Sequence, residues 1–447
     1  AAPTPAPSPP AAATATPAAQ IGNPAASVIF EQPADGSVQA ITADGERLVL
    51  VDPTAPGQSV AWQPSPDGRT IAAVIFQGVN VKSGEYDSAA LWTVGVDATE
   101  PRKLLDLGAG IGEGSSPLAG GPALFSGLRR ESWTADGRWI VLPSNHEGQV
   151  DLYAVAADGS EIRRLTDTPE FEFDAVVGPV GESVAYATTT SFGTGGGLGE
   201  PQAWVQPRFG EASPLTRATP GSYPSGVSVM GWVDAATPLA VIHYQPDGRG
   251  EIWTSKDGEA QAFHDLAPRA FWTVENGRLA LTSPSSLAPN AAGPLFVWSG
   301  DGTAPVQVSD AATSAHLART FDRLLSCERD GPLDGPRALW LAGQTIPLAP
   351  GGCDNLAWSL DGYLALGPSP EQGGPALVIG PDGETIDATI PGGAIMVGWN
   401  SSTLYFFSPA PAGEWQLYLL DAAGAAFPQP LGAPFAGQPA APRLVIR

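Results

Sequence analysis

Four histidines, two cysteines and one glycine-rich run are where chemistry would first be sought in this 447-residue chain. His146, His243, His264 and His316 are scattered, without H-x-x-x-H or H-E-x-x-H spacing, so no two of them are placed by sequence as metal ligands. No G-x-S-x-G elbow is present, which leaves a hydrolase of the α/β type without its nucleophile. Gly195, Gly196 and Gly197, with Gly193 before and Gly199 beyond, lack the Lys-Ser/Thr of a phosphate loop. They read as a surface insertion between two strands. Cys327 and Cys353 are 26 residues apart, far from any CxxC spacing. In an oxidising compartment they would form one disulfide, worth about 3 kcal/mol by loop closure; two separate buried thiols are the alternative. This inventory predicts no metal and no cofactor.

The elements that would position any site are repetitive. Gly (54) and Pro (46) punctuate short apolar runs, the pattern of many strands joined by tight turns. One half of the repeat is a strand ending in Trp, an Asp-Gly turn and a second apolar strand. Its clearest copies contain Trp62 with Asp67-Gly68-Arg69, Trp133 with Asp136-Gly137-Arg138, and Trp358 with Asp361-Gly362. Weaker copies contain Trp232 with Asp234, Trp272 with Gly277-Arg278, and Trp399 with Asn400. Asp and Asn tolerate left-handed backbone angles and Gly adopts them freely, so the chain reverses there. The other half is a third strand with an aromatic anchor, a second turn and a short fourth strand. Its anchors are Trp92, Tyr153, Trp204, Trp253, Trp298, Trp340, Val378 and Tyr418, spaced 38 to 61 residues apart. At that period a repeated aromatic is the packing residue between neighbouring units rather than a substrate platform.

Trp133-x-x-Asp136-Gly137-Arg138, followed by Leu152-Tyr153-x-Val155-x-x-Asp158-Gly159-Ser160-x-x-Arg163-Arg164-Leu165-Thr166, resembles the repeat of the TolB-like, WD-repeat-related β-propellers of exported bacterial proteins. The resemblance extends, in degenerate form, over about residues 59–431. It implies an all-β fold, a single β-propeller of four-stranded antiparallel blades. Eight units are complete, and a partial one of about three strands lies over residues 27–51. The tail from Arg443 to Arg447 is one more apolar strand, so residues 27–447 are expected to form a ring closed by strands from both termini. Eight blades are favoured. Nine follow if the tail completes the partial unit, and seven if one weak unit is an insertion.

Residues 1–26 begin with an uncharged run of Ala, Pro, Thr and Ser, expected to be a disordered tether. Such a stretch suits an exported protein after removal of a signal peptide, periplasmic or at a bacterial cell surface, with Ala1 on the small-residue side of a cleavage site. A lipoprotein carries its lipid on a Cys at the first position; Ala1 stands there, so the anchor is left open. An interdomain linker is the other reading. No run of eighteen apolar residues offers a transmembrane helix. Net charge is −24, with no Lys/Arg block to follow a phosphate backbone, which excludes nucleic acid as a partner.

If the propeller binds something, the connections from the fourth strand of one unit to the first strand of the next should carry recognition, since they ring one mouth of the channel. The candidates there are Arg129, Arg130, Glu131, Phe171, Glu172, Phe173, Asp174, Tyr223, Arg269, His316, Arg319, Asp354 and Asn355, expected as exposed connection residues. Their mixture of charged and aromatic types suits a protein or peptide. The expectation is therefore an extracytoplasmic binding or scaffold propeller, with a subunit of a cell-surface assembly as one form, and not an enzyme. The alternative is a channel-centred hydrolase or lyase acting on a lactone or saccharide. It would need several carboxylates, or carboxylates with His, converging in the channel.

Overall fold

The computed structural model describes residues 27–446, apart from 34–35, 43–44, 54–57, 80–85, 98–100, 109–127, 193–197, 209, 219–222, 246–247, 257, 267–271, 276, 283–292, 299–304, 313, 319–322, 328–336, 342–343, 349–354, 368–375, 425–426 and 440–441. Among the described residues nine antiparallel sheets succeed one another as blades, with a two-stranded ribbon of Ser191–Phe192 and Leu198–Gly199 beside them, and in every blade but the first the strands pair in sequence order. The unit read as partial is blade 1. Its strands Ser27–Glu31, Val38–Ile41 and Arg47–Val51 are joined by the C-terminal strand Arg443–Ile446, which pairs antiparallel with the first of them from Ser27↔Ile446 to Phe30↔Arg443. The blade count is thus nine, the case in which the tail completes the first unit. Blade 2 spans Ser59–Pro64 to Arg102–Gly108, and blade 9 spans Ile395–Asn400 to Gln429–Ala436. The expected tether and the glycine run 195–197 lie outside the described residues.

The turn chemistry recurs as its residue types dictate. Ser65, Thr134 and Ser359 close the first hairpin of blades 2, 3 and 8. In each, the carbonyl accepts from the turn glycine (Gly68, Gly137, Gly362) at 2.8 to 3.4 Å, and the hydroxyl accepts from the N–H of Thr70, Trp139 or Tyr363, at or just before the start of the next strand, at 2.7 to 3.1 Å. Each of these glycines has φ between 64° and 91°, where a side chain would be strained. The register also refines the repeat. Trp133 and Trp358 immediately precede the turn residue, whereas Pro64 holds that place in blade 2 and Trp62 stands two residues earlier. A shift of two keeps the same face of a strand.

Apolar clusters fill the seams between blades. One joins blades 1 and 2 through Val28, Phe30, Ala73 and Val94; another joins blades 9 and 1 through Tyr405, Phe407, Ile29 and Ile41. The inner-strand tryptophans do more than fill space. The indole N–H of Trp133 donates to the Gln63 carbonyl at 3.3 Å, that of Trp232 to Val176 at 3.1 Å, and that of Trp399 to Ala357 at 3.0 Å, each reaching back to the preceding blade. These groups are buried, so each bond satisfies an indole N–H that water cannot reach. Trp232→Phe should accordingly lower stability by about 2 kcal/mol, combining a lost buried hydrogen bond with lost volume. Urea midpoints check this, and an unchanged midpoint would show that the indole N–H contributes nothing.

Candidate functional site

The innermost strands line the channel, and a polar residue on or just before several of them reaches the next blade. Asp174 of the blade 4 strand Phe171–Val177 accepts the Val229 N–H of blade 5 at 2.7 Å, and it pairs with Arg129 of blade 3. Glu275 of blade 6 accepts the Leu317 N–H of blade 7 at 3.0 Å. Asn355 of blade 8 donates to the Ala394 carbonyl at 2.6 Å and accepts the Met396 N–H of blade 9 at 2.7 Å. Asp174 interrupts its own ladder: the register shifts between Phe173 and Val176, and its φ is 53°, a conformation Asp tolerates better than most residues. Burial pushes its carboxyl up from the ordinary range, while Arg129 and the Val229 N–H oppose that push.

Blade 3 departs from the repeat at this level. In place of an inner strand, the residues Arg130–Ser132 form a 3-10 turn, followed by an isolated bridge between Trp133 and Ile140. Beside this turn lies a cavity of about 690 Å³ whose walls come from blades 2 to 6. Trp133, Val176, Met230, Trp232 and Val274 supply its apolar surface. Arg129, Arg130, Glu131 and Glu275 supply charge, and the hairpin residues Pro66, Ala135, Pro179 and Gly277 complete it. Arg129, Arg130 and Glu131 are all exposed, and Arg129 is oriented by its pairing with Asp174. The arrangement is apolar surface beside fixed and free charges, which is what holding a mixed-polarity segment requires.

Three of the candidate residues therefore line one cavity: Arg129, Arg130 and Glu131. Asp174 stands behind it as a positioning group. Glu172 is not on the surface. It is 0% exposed, accepts a hydrogen bond from the Thr168 hydroxyl at 2.5 Å, and its Oε2 has no hydrogen-bond partner among the described residues. Burial pushes its carboxyl up to about 7, with the nearby Asp151 and Glu170 adding to the rise. Phe171 is half-buried and Phe173 is in the core, while Tyr223 is 78% exposed and outside the cavity. Arg269, Arg319 and Asp354 lie outside the described residues, as does the side chain of His316. The same holds for the proposed disulfide: Cys353 is not described, and only the backbone of Cys327 is. Among the described residues no three His, Cys, Asp or Glu side chains are grouped to hold a metal ion. His146 sits edge-on to Tyr153, and burial lowers His243.

The sequence missed the deeper wall, Val176, Met230, Trp232, Val274 and Glu275, because it placed recognition only in the connections between blades. One signal was available. The segment before Ser132 reads Leu128-Arg129-Arg130-Glu131, where other units begin an apolar first strand.

No protein-family model matches the chain, and no curated protein matches it. Solved structures do. The dipeptidyl peptidase 4 of Porphyromonas gingivalis is similar over 92% of this chain and 58% of its own length, at 9% identity and a TM-score of 0.52. The β-propeller domain of the Trilobed protease from Pyrococcus furiosus, described as having an open velcro topology, is similar over 84% of this chain and 98% of that one, at 10% identity and a TM-score of 0.41. The chain thus spans little more than half the length of the first of these. At such identity the likeness concerns the β-propeller fold.

Proposed function

We propose that this chain is an extracytoplasmic binding or scaffold propeller of the TolB-like kind, and that it engages a protein or peptide partner through the cavity beside the blade 3 turn. The observation that carries the reading is the local break in the repeat. Where other blades place an inner strand, this one places Arg130 and Glu131 on a 3-10 turn with Arg129 just before it, next to about 690 Å³ of partly apolar space. Departures from an otherwise consistent pattern concentrate at working sites. The rigid ring preforms the cavity, so a partner segment docks without a large ordering cost on the protein side.

Selection from a displayed library of random dodecapeptides tests this. Peptides enriched on the wild-type protein should bind the Ala135→Trp variant at least tenfold more weakly, a loss of about 1.4 kcal/mol. Ala135 is an exposed hairpin residue on the cavity wall, so thermal stability should be unchanged. Peptides that bind both proteins equally, or no enrichment at all, would count against the reading.

A further inference from the structure

A second hollow lies outside the channel, in the seam between blades 1 and 2, with a volume of about 390 Å³. Its floor follows from strand register. Ser88, Ala90 and Trp92 alternate along the third strand of blade 2, Ser88–Gly95, and so face one way. Gln77 pairs with Ser88, and both Ile75 and Asp106 pair with Ala90. Asp52, Pro53 and Gln58 close the hollow from the blade 1 side.

The hollow exists because this unit has small residues where most have large ones. Two positions before the third-strand anchor, blades 3, 4, 5, 6 and 9 carry Asp151, Gln202, Glu251, Phe296 and Gln416. Two of these larger side chains are buried against the outer strand of their own blade: Asp151 is fully buried against Arg164, and Gln416 donates to the Leu431 carbonyl at 2.8 Å. Blade 2 has Ala90, with exposed Ser88 two residues before it; Ala338 and Ala376 are the other small residues at the Ala90 position.

What lines the space is chemically specific. Trp92 is half-buried, and with Ile75 and Ala90 it offers an apolar surface. Around it stand two primary amides, with Gln58 Nε2 donating to Gln77 Oε1 at 2.9 Å, the Ser88 hydroxyl, the Asp52 carboxylate, and Asp106 paired with Lys103. A pyranose ring presents C–H faces and a rim of hydroxyls that both donate and accept. Carboxylates accept from such a rim, an ammonium donates to it, and amides and hydroxyls do both. Tryptophan is suited to the apolar face because its ring is wide and its edge polar.

We propose that this groove is a saccharide-binding site, separate from the channel cavity. A printed array of neutral and acidic oligosaccharides, probed with labelled protein, tests it. A subset of glycans should be retained by the wild type. Retention should fall at least tenfold in Ala90→Phe, which gives blade 2 the residue blade 6 uses, with the melting temperature unchanged. Ser88→Trp fills the same space from an exposed position and should act alike if Ala90→Phe perturbs folding. Failure of the wild type to retain any glycan, or retention that survives both substitutions, would overturn the proposal without touching the peptide reading of the channel.

Discussion

Removing residues 443–447 should open the ring. The strand Arg443–Ile446 supplies the inner position of blade 1 and touches both neighbours. Leu444 packs with the blade 9 cluster, and it lies so close to Gly398 that a Cβ there would sit 2.9 Å from it. Val445 joins the blade 1 and 2 cluster, and Arg443 bonds to Gln63 with its guanidinium 4.7 Å from the centre of the Trp62 ring. Burial of such side chains is worth about 1.5–3 kcal/mol each when complete, and ladder hydrogen bonds add about 1 kcal/mol apiece. The truncated chain should therefore lose about 5 kcal/mol, a large share of a typical stability. What would remain between blades 9 and 1 includes the buried Glu31 paired with Arg47, whose guanidinium lies over Phe435. The expected result is a thermal midpoint lower by several degrees, with early proteolytic cleavage inside blade 1. A midpoint equal to that of the full chain would show that the terminal strand does not close the ring.

Glu172→Gln should stabilise the protein at alkaline pH and leave it unchanged in acid. The carboxyl is fully buried in the seam of blades 3 and 4 and held up to about 7, against an ordinary 4.5. The groups around it are chiefly anionic: Asp151 and Glu170 act on it directly, and Glu172 in turn raises Tyr186. Arg164, the cation paired with Asp151, also serves Glu147 and Asp167. A folded-state value above the unfolded one means that the folded protein holds the proton more tightly. That contribution is complete below about pH 4.5 and is lost as pH rises through about 7. The difference of about 2.5 units corresponds to about 3 kcal/mol. Glutamine keeps the acceptor for Thr168 and never ionises. Urea midpoints of the two proteins should coincide at pH 4 and diverge by pH 8, with the variant higher. A variant less stable than the wild type at pH 8 would mean that the ionised carboxylate is well accommodated.

Both effects bear on what a sequence can reveal. Strand identity was legible because it rests on local patterns: all eight third-strand anchors pair with the second strand of their own blade, including the atypical Val378 and Tyr418. The ninth blade was harder to count because its completion depends on Ser27 meeting Ile446, a contact no local pattern encodes. Glu172 and Asp174 show the same limit at the site. Both read as solvated connection residues, yet one is sealed in a seam and the other bonds to two neighbouring blades. Alternation of side chains along a strand identifies which residues share a face, but the curvature of the ring decides whether that face meets water or another blade. Arg129, Arg130 and Glu131 were found because they fall in a connection between two units, which the repeat makes visible in one dimension. The apolar wall opposite them was not, because Met230 and Val274 look like any other core residue until five blades are brought together.

The chain contains two methionines, and they divide the question of the cavity cleanly: Met230 lines it, while Met396 lies on the inner strand of blade 9. Protein labelled with ¹³C at the methionine methyl groups should give two resonances, assigned with Met230→Leu and Met396→Leu. On titration with a dodecapeptide selected on the wild-type protein, the Met230 methyl should shift to saturation while the Met396 methyl stays in place. A bound peptide that leaves Met230 unmoved, or moves only Met396, would contradict the assignment of partner binding to this cavity.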